Sequence, residues 1–400
     1  MTSFDETFDL AVQNGDIAGA VMLAKSKSGS TILSKAIGTQ NLKPGDDTPY
    51  TGQSVMLLAS LTKLLTSIAA LQLVERGQVT LDQDVLPLLP AFAALDIFHG
   101  YTADGKPILT KRHNPVTLRQ LLTHSSGAAY SFTLDSPLAE YRTRIQGRTL
   151  LNGDTIDTMF DYPLLFEAGE GWQYGSSIDR VGQVIEAISG QSLEDFFAAN
   201  IYAPLGLTTG TFWPDRRRDL DPHRAALTYR SPETGRVVAT SQEESLTDGL
   251  TEPFGGHGLF MSADDYLEVL HSLLADDERL LRRETSALMF RGHLSAASRA
   301  RLGEQMQNAD WTVGDFPSSM EYDWGFGGML IDGAFHDYHR KGTLAWGGAG
   351  NQYWFIDRES GICAVLGTQV FPSGDKKVEK LLTAFQKEVY ERIGKGRQRR

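Results

Sequence analysis

The sequence predicts an α+β protein in which strands from the two ends of the chain form one sheet. Strand-like runs lie near the start, at 18–24 and 30–38, and near the end, at 345–356 and 361–370. The stretch from about 79 to 250 instead shows helical segments joined by loops rich in proline and glycine. Strands at both ends with helices between them indicate one sheet and an inserted helical lobe.

The helices follow from the spacing of apolar residues. An amphipathic helix opens the chain around Phe4 and Phe8. The segment 62–76 has the apolar spacing of a helix with one buried face, and Gly77 is placed to end it. Further helices are predicted at 181–188, 192–200, 263–275 and 376–393.

The chain is long enough for one large domain or two interleaved ones. Its 400 residues provide ample material for a buried core without disulfides or metal. We expect residues 1–78 and 251–400 to form one discontinuous α/β sandwich domain. Residues 79–250 are expected to form the inserted, mostly helical domain.

The composition argues against several classes of partner. A net charge of -12 opposes binding to nucleic acid phosphates. The single cysteine, Cys363, lies in an apolar run and leaves no disulfide framework or cysteine-rich zinc site. The acidic N-terminus does not resemble a secretory signal, and no apolar run approaches the roughly 20 residues that cross a bilayer. We therefore expect a cytoplasmic protein without a metal, cofactor, nucleic-acid or membrane partner.

A serine and a lysine three residues apart form the candidate nucleophilic pair. Ser60 and Lys63 fall at the start of a predicted helix, where one face carries both side chains. A serine hydroxyl attacks only when a neighbour takes its proton, and an amine can do so only when burial or positive potential lowers its pKa. The same spacing recurs at 373–376, where Pro372 and Gly374 indicate a loop.

Two further motifs complete the constellation. Tyr174 lies in a glycine-rich loop, where a tyrosine can pass a proton to a leaving group provided the lysine keeps it near the phenolate form. In the run 346–350, the four residues after Trp346 are glycine or alanine. Such small side chains would let an ester carbonyl lie against the backbone of this strand near the end of the chain. The amides of Ser60 and Ala349 would then form the oxyanion hole. The alternative interpretations are that Tyr174 merely packs beside Trp172 and that the glycines form an ordinary turn.

The three motifs, taken in their order along the chain, resemble those of the serine β-lactamase and penicillin-binding-protein family. The resemblance is greatest with the class C-like esterases, or family VIII carboxylesterases, and with the fungal statin acyltransferases and statin esterases. It implies a serine β-lactamase-like or transpeptidase fold, with an antiparallel sheet flanked by helices and an all-helical lobe. The matching stretches are 60–63, 117–127, the Tyr174 loop, 204–207, 255–259 and 341–348.

Two departures from the family pattern point away from β-lactams. Where β-lactamases and transpeptidases carry Lys-Thr-Gly, this sequence has Trp346, Gly347 and Gly348, so the cation that would bind a substrate carboxylate is missing. Lys341 begins a Lys-Gly-Thr run nearby, but its order is wrong. Ser176 stands where many members have asparagine, which removes an amide donor.

We therefore predict a serine carboxylesterase that cleaves uncharged esters through an acyl-Ser60 intermediate, with Lys63 and Tyr174 moving protons. The resemblance implies polyketide or statin-type side-chain esters as substrates. The alternatives are an acyltransferase that moves the group from an ester or acyl-thioester donor onto a polyketide-like alcohol, a β-lactamase or D-Ala-D-Ala peptidase, and a catalytically silent binding protein. The predicted pocket residues are Trp346, Gly347, Gly348, Ser176, His257 and Trp172. Other aromatic residues are equally compatible with an acyl pocket or the core, namely Trp324, Phe326, Tyr353 and Trp354.

Overall fold

The computed structural model describes residues 3–132, 136–149, 151–240, 246–333 and 338–397. The strands in this part of the chain are β1 Gly19–Ser26, β2 Thr31–Gly38, β3 Val55–Leu57, β4 Ile97–Tyr101, β5 Pro107–Thr110, β6 Thr228–Arg230, β7 Val237–Ala239, β8 Phe260–Ser262, β9 Tyr322–Trp324, β10 Met329–Ile331, β11 Leu344–Gly347, β12 Tyr353–Asp357, β13 Ile362–Gly367 and β14 Val370–Phe371. The helices are α1 Phe4–Gln13, α2 Thr62–Glu75, α3 Pro90–Ala93, α4 Leu118–Leu122, α5 Pro137–Glu140, α6 Ile156–Met159, α7 Ser177–Ser189, α8 Leu193–Phe197, α9 Ala203–Leu205, α10 Ala263–Ala275, α11 Arg283–Met289, α12 Ala296–Gln305 and α13 Lys376–Arg397.

The main sheet joins the two ends of the chain, as the sequence predicts. Its seven strands run in the order β2-β1-β13-β12-β11-β10-β9, and every neighbouring pair is antiparallel. Strands β12 and β13 are buried at every position. Side chains alternate between the two faces of a strand, so both faces of the sheet centre are covered. The helices α10, α1 and α13 pack against this sheet.

The strand boundaries differ from the sequence prediction in two places. The run 345–356 forms two strands, β11 and β12, with Trp346 opposite Trp354. Strands β9 and β10 extend the sheet beyond β11, and each is only three residues long, too short to give a period in the sequence. The helix predicted at 192–200 continues through a wider turn, Ala198–Tyr202, into α9.

The middle of the chain also contains short strands. Strands β4 and β5 form a hairpin, and β6 pairs with both β7 and β14, the latter from the end of the chain, in a second small sheet. The domain division at 78/79 and 250/251 stays a prediction.

Helix α2 is the central helix of the molecule. Its boundaries match the predicted helix to one residue, and Arg76 and Gly77 follow its end. All residues from Thr62 to Leu73 are buried, so the prediction of a single buried face is wrong. Helix α2 packs against α7 and α8 of the middle stretch, and the Tyr266 hydroxyl of α10 donates to the Leu61 carbonyl over 3.1 Å. Among the described residues, no helix has both the length and the apolar character needed to cross a membrane.

Candidate active site

Ser60 lies in a single turn of 3-10 helix, Ala59–Leu61, which leads from β3 into α2. Ala59 adopts a left-handed φ of 46°, which is uncommon for a residue other than glycine and marks a constrained backbone. The amide of Leu58 donates to the carbonyl of Leu259 over 2.8 Å and fixes the entry to the turn. Ser60 is half-buried, whereas both of its neighbours are buried. The turn thus presents the serine at the start of the helix, where the sequence places it.

Lys63 is buried directly behind the serine. Its side chain is only 1% exposed. The Nζ atom lies 3.2 Å from Ser60 Oγ, 3.2 Å from the Tyr130 hydroxyl and 2.8 Å from the Gly256 carbonyl oxygen. The same atom lies 4.6 Å from the centre of the Tyr174 ring. The amine is therefore within direct proton-transfer distance of the serine hydroxyl.

The Tyr174 hydroxyl has a defined partner in the site. The indole Nε1–H of Trp346 donates a hydrogen bond to the hydroxyl oxygen over 2.9 Å. The Trp346 ring is 5.0 Å from the Tyr174 ring. Trp346 is thus more than an apolar wall, because it supplies a hydrogen-bond donor to the tyrosine oxygen.

The loop that carries Tyr174 is held by His124. The amide of Gln173 donates to the His124 carbonyl over 3.0 Å, and the amide of Gly175 donates to His124 Nδ1 over 3.4 Å. A Cβ on Gly175 would lie 2.4 Å from the Ala129 Cα, so the residue after Tyr174 has no room for a side chain. These contacts fix the tyrosine next to Lys63.

A buried carboxylate holds two of the lysine's partners. Asp179 is fully buried and accepts from the Tyr130 hydroxyl over 3.3 Å and from the Gly256 amide over 2.8 Å. Burial, followed by the Asp179 charge, raises the pKa of Tyr130 well above its usual value. Tyr130 therefore stays protonated, and its hydroxyl acts as a donor to Asp179.

Tyr130 and Asp179 were not identified from the sequence. Tyr130 follows the matching stretch 117–127 by only three residues. Asp179 lies five residues after Tyr174, among the buried residues of the first turns of α7. Asp179 precedes the helix predicted at 181–188 by two residues, so the sequence pattern did not mark it as a buried acidic residue.

The predicted oxyanion pair lies on adjoining segments. Ala349 lies in the turn between β11 and β12, which the Gly348 amide closes by donating to the Gln352 carbonyl over 2.9 Å. Gly348 lies so close to the strand before Ser60 that a Cβ would be 2.6 Å from the Leu58 carbonyl oxygen. The role of the two amides stays a prediction.

Most predicted pocket residues are enclosed by protein. Trp172 is fully buried, Ser176 is buried at the start of α7, and a Cβ on Gly347 would lie 2.5 Å from Val313. The His257 side chain is 14% exposed, and burial lowers the pKa of its ring despite a neighbouring carboxylate. His257 is therefore neutral near pH 7. Contact of these residues with substrate stays a prediction.

The aromatic residues divide into core and site. Four are at most 1% exposed and belong to the core, namely Trp324, Phe326, Tyr353 and Trp354. Trp311, which the sequence reasoning missed, is partly exposed, and its ring lies 5.9 Å from Tyr174 and 6.0 Å from Trp346. It is therefore a further aromatic side chain beside two of the predicted site residues.

A cavity of about 900 Å³ adjoins the loop whose Gly256 carbonyl binds Lys63. This volume is within the range of small-molecule sites. Ser60, Lys63 and Tyr174 do not line the cavity, although Leu57 and Gly258 do, so it lies beside the reactive groups. Its walls combine apolar and charged side chains, among them Phe212, Trp213, Phe254, Arg216 and Glu252. The described residues include no group of three or more His, Cys, Asp or Glu side chains that could hold a metal ion.

A serine in contact with a buried lysine, beside a tyrosine on this α+β scaffold, defines a serine enzyme that forms acyl intermediates. The family model described as Beta-lactamase matches residues 4–387, and the chain belongs to this family. The predicted fold class and family are confirmed.

The relatives of the chain include both esterases and acyltransferases. It is 36% identical to lovastatin esterase from Penicillium rubens, over 98% of this chain and 100% of that protein. It is 34% identical to monacolin J acid methylbutanoyltransferase from Aspergillus terreus, over 98% and 96% of the two chains. A solved structure of a mutant simvastatin synthase from Aspergillus terreus superposes with a TM-score of 0.90 at 34% identity, covering 98% and 97%. The prediction of an ester-hydrolysing or acyl-transferring serine enzyme is confirmed.

Proposed function

We propose that the protein is a carboxylesterase that cleaves uncharged side-chain esters of statin-like or related polyketides, with Ser60 as its nucleophile. The observation that carries this proposal is the 3.2 Å contact between Ser60 Oγ and the buried Nζ of Lys63. The relative named lovastatin esterase supports the substrate class.

The first half of the reaction forms the acyl-enzyme. Ser60 Oγ attacks the ester carbonyl carbon while Lys63 takes the hydroxyl proton. The oxyanion is held by the amides of Ser60 and Ala349. The carbon–oxygen bond to the alcohol then breaks, and Tyr174 gives its proton to the departing alkoxide. The proton on Lys63 returns to Tyr174, so the pair ends neutral.

The second half releases the acid. Water attacks the acyl carbonyl, and its proton passes through Tyr174 and Lys63 to Ser60 Oγ as the bond to serine breaks. The Asp179 contacts keep Tyr130 and Gly256 in place around the lysine during both halves. The hydrogen bond from Trp346 stabilises the tyrosine oxygen each time it loses its proton.

An uncharged substrate is favoured by the strand that carries Trp346. The β-lactamase pattern has a lysine at this position, and charge-assisted hydrogen bonds to a carboxylate contribute roughly 1.5 to 3 kcal/mol each. Lys341, the lysine of the same segment, lies at the other end of β11, is largely exposed and pairs with Asp332 at 2.9 Å. It does not replace the missing cation.

A second candidate function is transfer of the acyl group to an alcohol. Relatives named as a methylbutanoyltransferase favour it, and a polyketide-like alcohol in place of water would accept the group from the same acyl-Ser60 intermediate. An acyl thioester is the corresponding donor class. Water and alcohol then compete in the second half-reaction only.

Mass spectrometry of the intact protein tests the proposal. Incubation with p-nitrophenyl butyrate, a 2-methylbutyryl thioester and a statin-type ester should add one acyl mass to the wild type and none to Ser60→Ala. Adding an acceptor alcohol then shows whether the group leaves as acid or as a new ester. Acylation of Ser60→Ala to the same extent would overturn the assignment of the nucleophile.

A further inference from the structure

Two buried glutamines form hydrogen bonds with the last residue of β3, the strand that leads into Ser60. Gln352 is fully buried, and Gln369 is 3% exposed. The Nε2 atoms of both donate to the same acceptor, the Leu57 carbonyl, over 2.7 and 3.1 Å. The Leu57 amide donates in turn to Gln369 Oε1 over 3.3 Å. Both backbone groups of Leu57, three residues before the serine, are therefore held by side chains from the end of the chain.

Gln352 also closes the turn that contains Ala349. Its backbone carbonyl accepts from the Gly348 amide over 2.9 Å, and the Asn351 amide donates to the Gly348 carbonyl over 2.8 Å. One residue thus binds the Ala349 turn with its backbone and Leu57 with its side chain. The separation between the two segments depends on this residue.

The glycines of the 346–350 run make room for this contact. A Cβ on Gly348 would lie 2.5 Å from Gln352 Oε1, and a Cβ on Gly350 would lie 2.7 Å from Gln352 Nε2 and 3.0 Å from Gln369 Nε2. Any side chain at these positions would displace the glutamine amides. The two glycines therefore accommodate the glutamines, whether or not they also approach a substrate.

The buried side chain of Gln352 has a polar atom without a hydrogen-bond partner. Gln352 Oε1 is buried and has no hydrogen-bond partner within the described part of the chain. An unsatisfied buried polar atom destabilises the folded state, which an apolar side chain of similar size would avoid. Of the two polar atoms of this side chain, Nε2 is the one that is bonded, to the Leu57 carbonyl.

We propose that Gln352 and Gln369 are positioning residues of the oxyanion hole, which set the spacing between the Ser60 amide and the Ala349 amide. This inference rests on the proposed function, in which those amides hold the oxyanion. Oxyanion donors act when they are fixed about 2.7 to 3.1 Å from the developing charge, so a small displacement of either turn weakens both bonds.

The test compares Gln352→Met with the matched control Gln72→Met. Methionine keeps the size of the side chain and removes the donor. Gln72 is 5% exposed and also donates to two backbone carbonyls, those of Asn200 at 2.9 Å and Leu280 at 3.0 Å, but it lies near the far end of α2. Gln352→Met loses one side-chain hydrogen bond and Gln72→Met loses two, so the melting temperature of the control should fall at least as far.

The readouts are kcat and KM for p-nitrophenyl butyrate and inhibition by butylboronic acid, which bonds to a serine oxygen and mimics the tetrahedral intermediate. Gln352→Met should lower kcat at least about tenfold, short of the 10²- to 10³-fold loss of a whole donor, with KM within about twofold. Its boronate affinity should fall by the same factor as kcat. Gln72→Met should keep both within about twofold.

Equal activity losses in the two variants, or an unchanged boronate affinity in Gln352→Met, would overturn the positioning role. Gln369→Met carries the same expectation and replaces Gln352→Met if that variant does not fold. The acyl-Ser60 adduct of the wild type separates the two proposals. Its absence overturns the proposed function, whereas its presence with equal losses in the variants overturns the glutamine assignment alone.

Discussion

The indole of Trp346 donates to the hydroxyl oxygen of Tyr174 over 2.9 Å. Trp346 stands where the β-lactamase pattern has its carboxylate-binding lysine, and it therefore contacts the tyrosine that we propose as a proton-transfer residue. One replacement both removes a cation for the substrate and gives the tyrosine a hydrogen-bond donor.

Trp346→Phe tests this contact, because it removes the N–H and keeps an aromatic ring. We expect kcat for p-nitrophenyl butyrate to fall about three- to tenfold, the effect of one neutral hydrogen bond. Trp324→Phe is the control, since the Trp324 Nε1 is buried without a hydrogen-bond partner among the described residues. It should stay within about twofold, and equal losses in the two variants would assign the effect to packing.

Ser60→Ala should abolish ester turnover and leave the melting temperature close to that of the wild type. The hydroxyl is half-buried, and Lys63 keeps its contacts with Tyr130 and Gly256. Labelling with a serine-reactive fluorophosphonate checks the assignment. Residual labelling of the variant would place the nucleophile elsewhere.

Lys63→Met should lower the acylation rate at least about a hundredfold, the usual scale for the loss of a general base. Stopped-flow measurement of the first turnover isolates this step from deacylation. Lys341→Met, an exposed lysine of the strand segment, is the control and should be unchanged. A near-normal rate in Lys63→Met would leave Tyr174 as the base.

Uncharged esters should be cleaved far faster than β-lactams. We expect kcat/KM for p-nitrophenyl butyrate to exceed that for nitrocefin or a D-Ala-D-Ala peptide by at least about tenfold, because one or two charge-assisted bonds are missing. Trp346→Ala should weaken ester turnover without creating β-lactamase activity, since it restores no cation. Comparable constants for nitrocefin and the ester would contradict the substrate assignment.

His124 makes the fold less stable in acid. Burial, followed by the Lys63 charge, lowers the pKa of His124 well below its usual 6.5. The unfolded chain therefore binds a proton that the folded protein does not, and the free energy of unfolding falls as the pH drops below about 6.5. His124→Asn, which tolerates the left-handed φ of 57° at this position, should reduce that slope by up to about 1.4 kcal/mol per pH unit. Urea unfolding at pH 5 to 7 measures it, and an unchanged slope would contradict the assignment.

The helices that have a regular apolar spacing and recognisable terminal residues were predictable from the sequence. Helices α2 and α10 were placed to within a residue, because apolar spacing and terminal glycine or polar residues define their ends. Strands β9 and β10 were missed, since three buried residues carry no period. Complete burial of α2 was also missed, because it depends on the elements packed around it.

The site was predictable where the residues lie close together in sequence or in a motif. Ser60 and Lys63 share one helix turn, so their contact follows from their spacing. The contacts of Asp179 with Tyr130 and Gly256 join three distant segments, and no local pattern indicates them. The donor function of Trp346 likewise depends on a ring orientation that sequence spacing does not define.

The pairing of β1 with β13 has a consequence for biosynthesis. Met22 pairs with Leu366, and the Leu57 carbonyl accepts a hydrogen bond from Gln369. Both contacts therefore require residues that are synthesised late in translation. The serine emerges from the ribosome early, but the sheet that supports its turn cannot close until the last strands follow. Contacts between distant parts of a chain slow folding, and the edge of β1 that pairs with β13 stays exposed meanwhile. The nascent chain is therefore expected to remain inactive, and to need protection from aggregation, until nearly all of it has been synthesised.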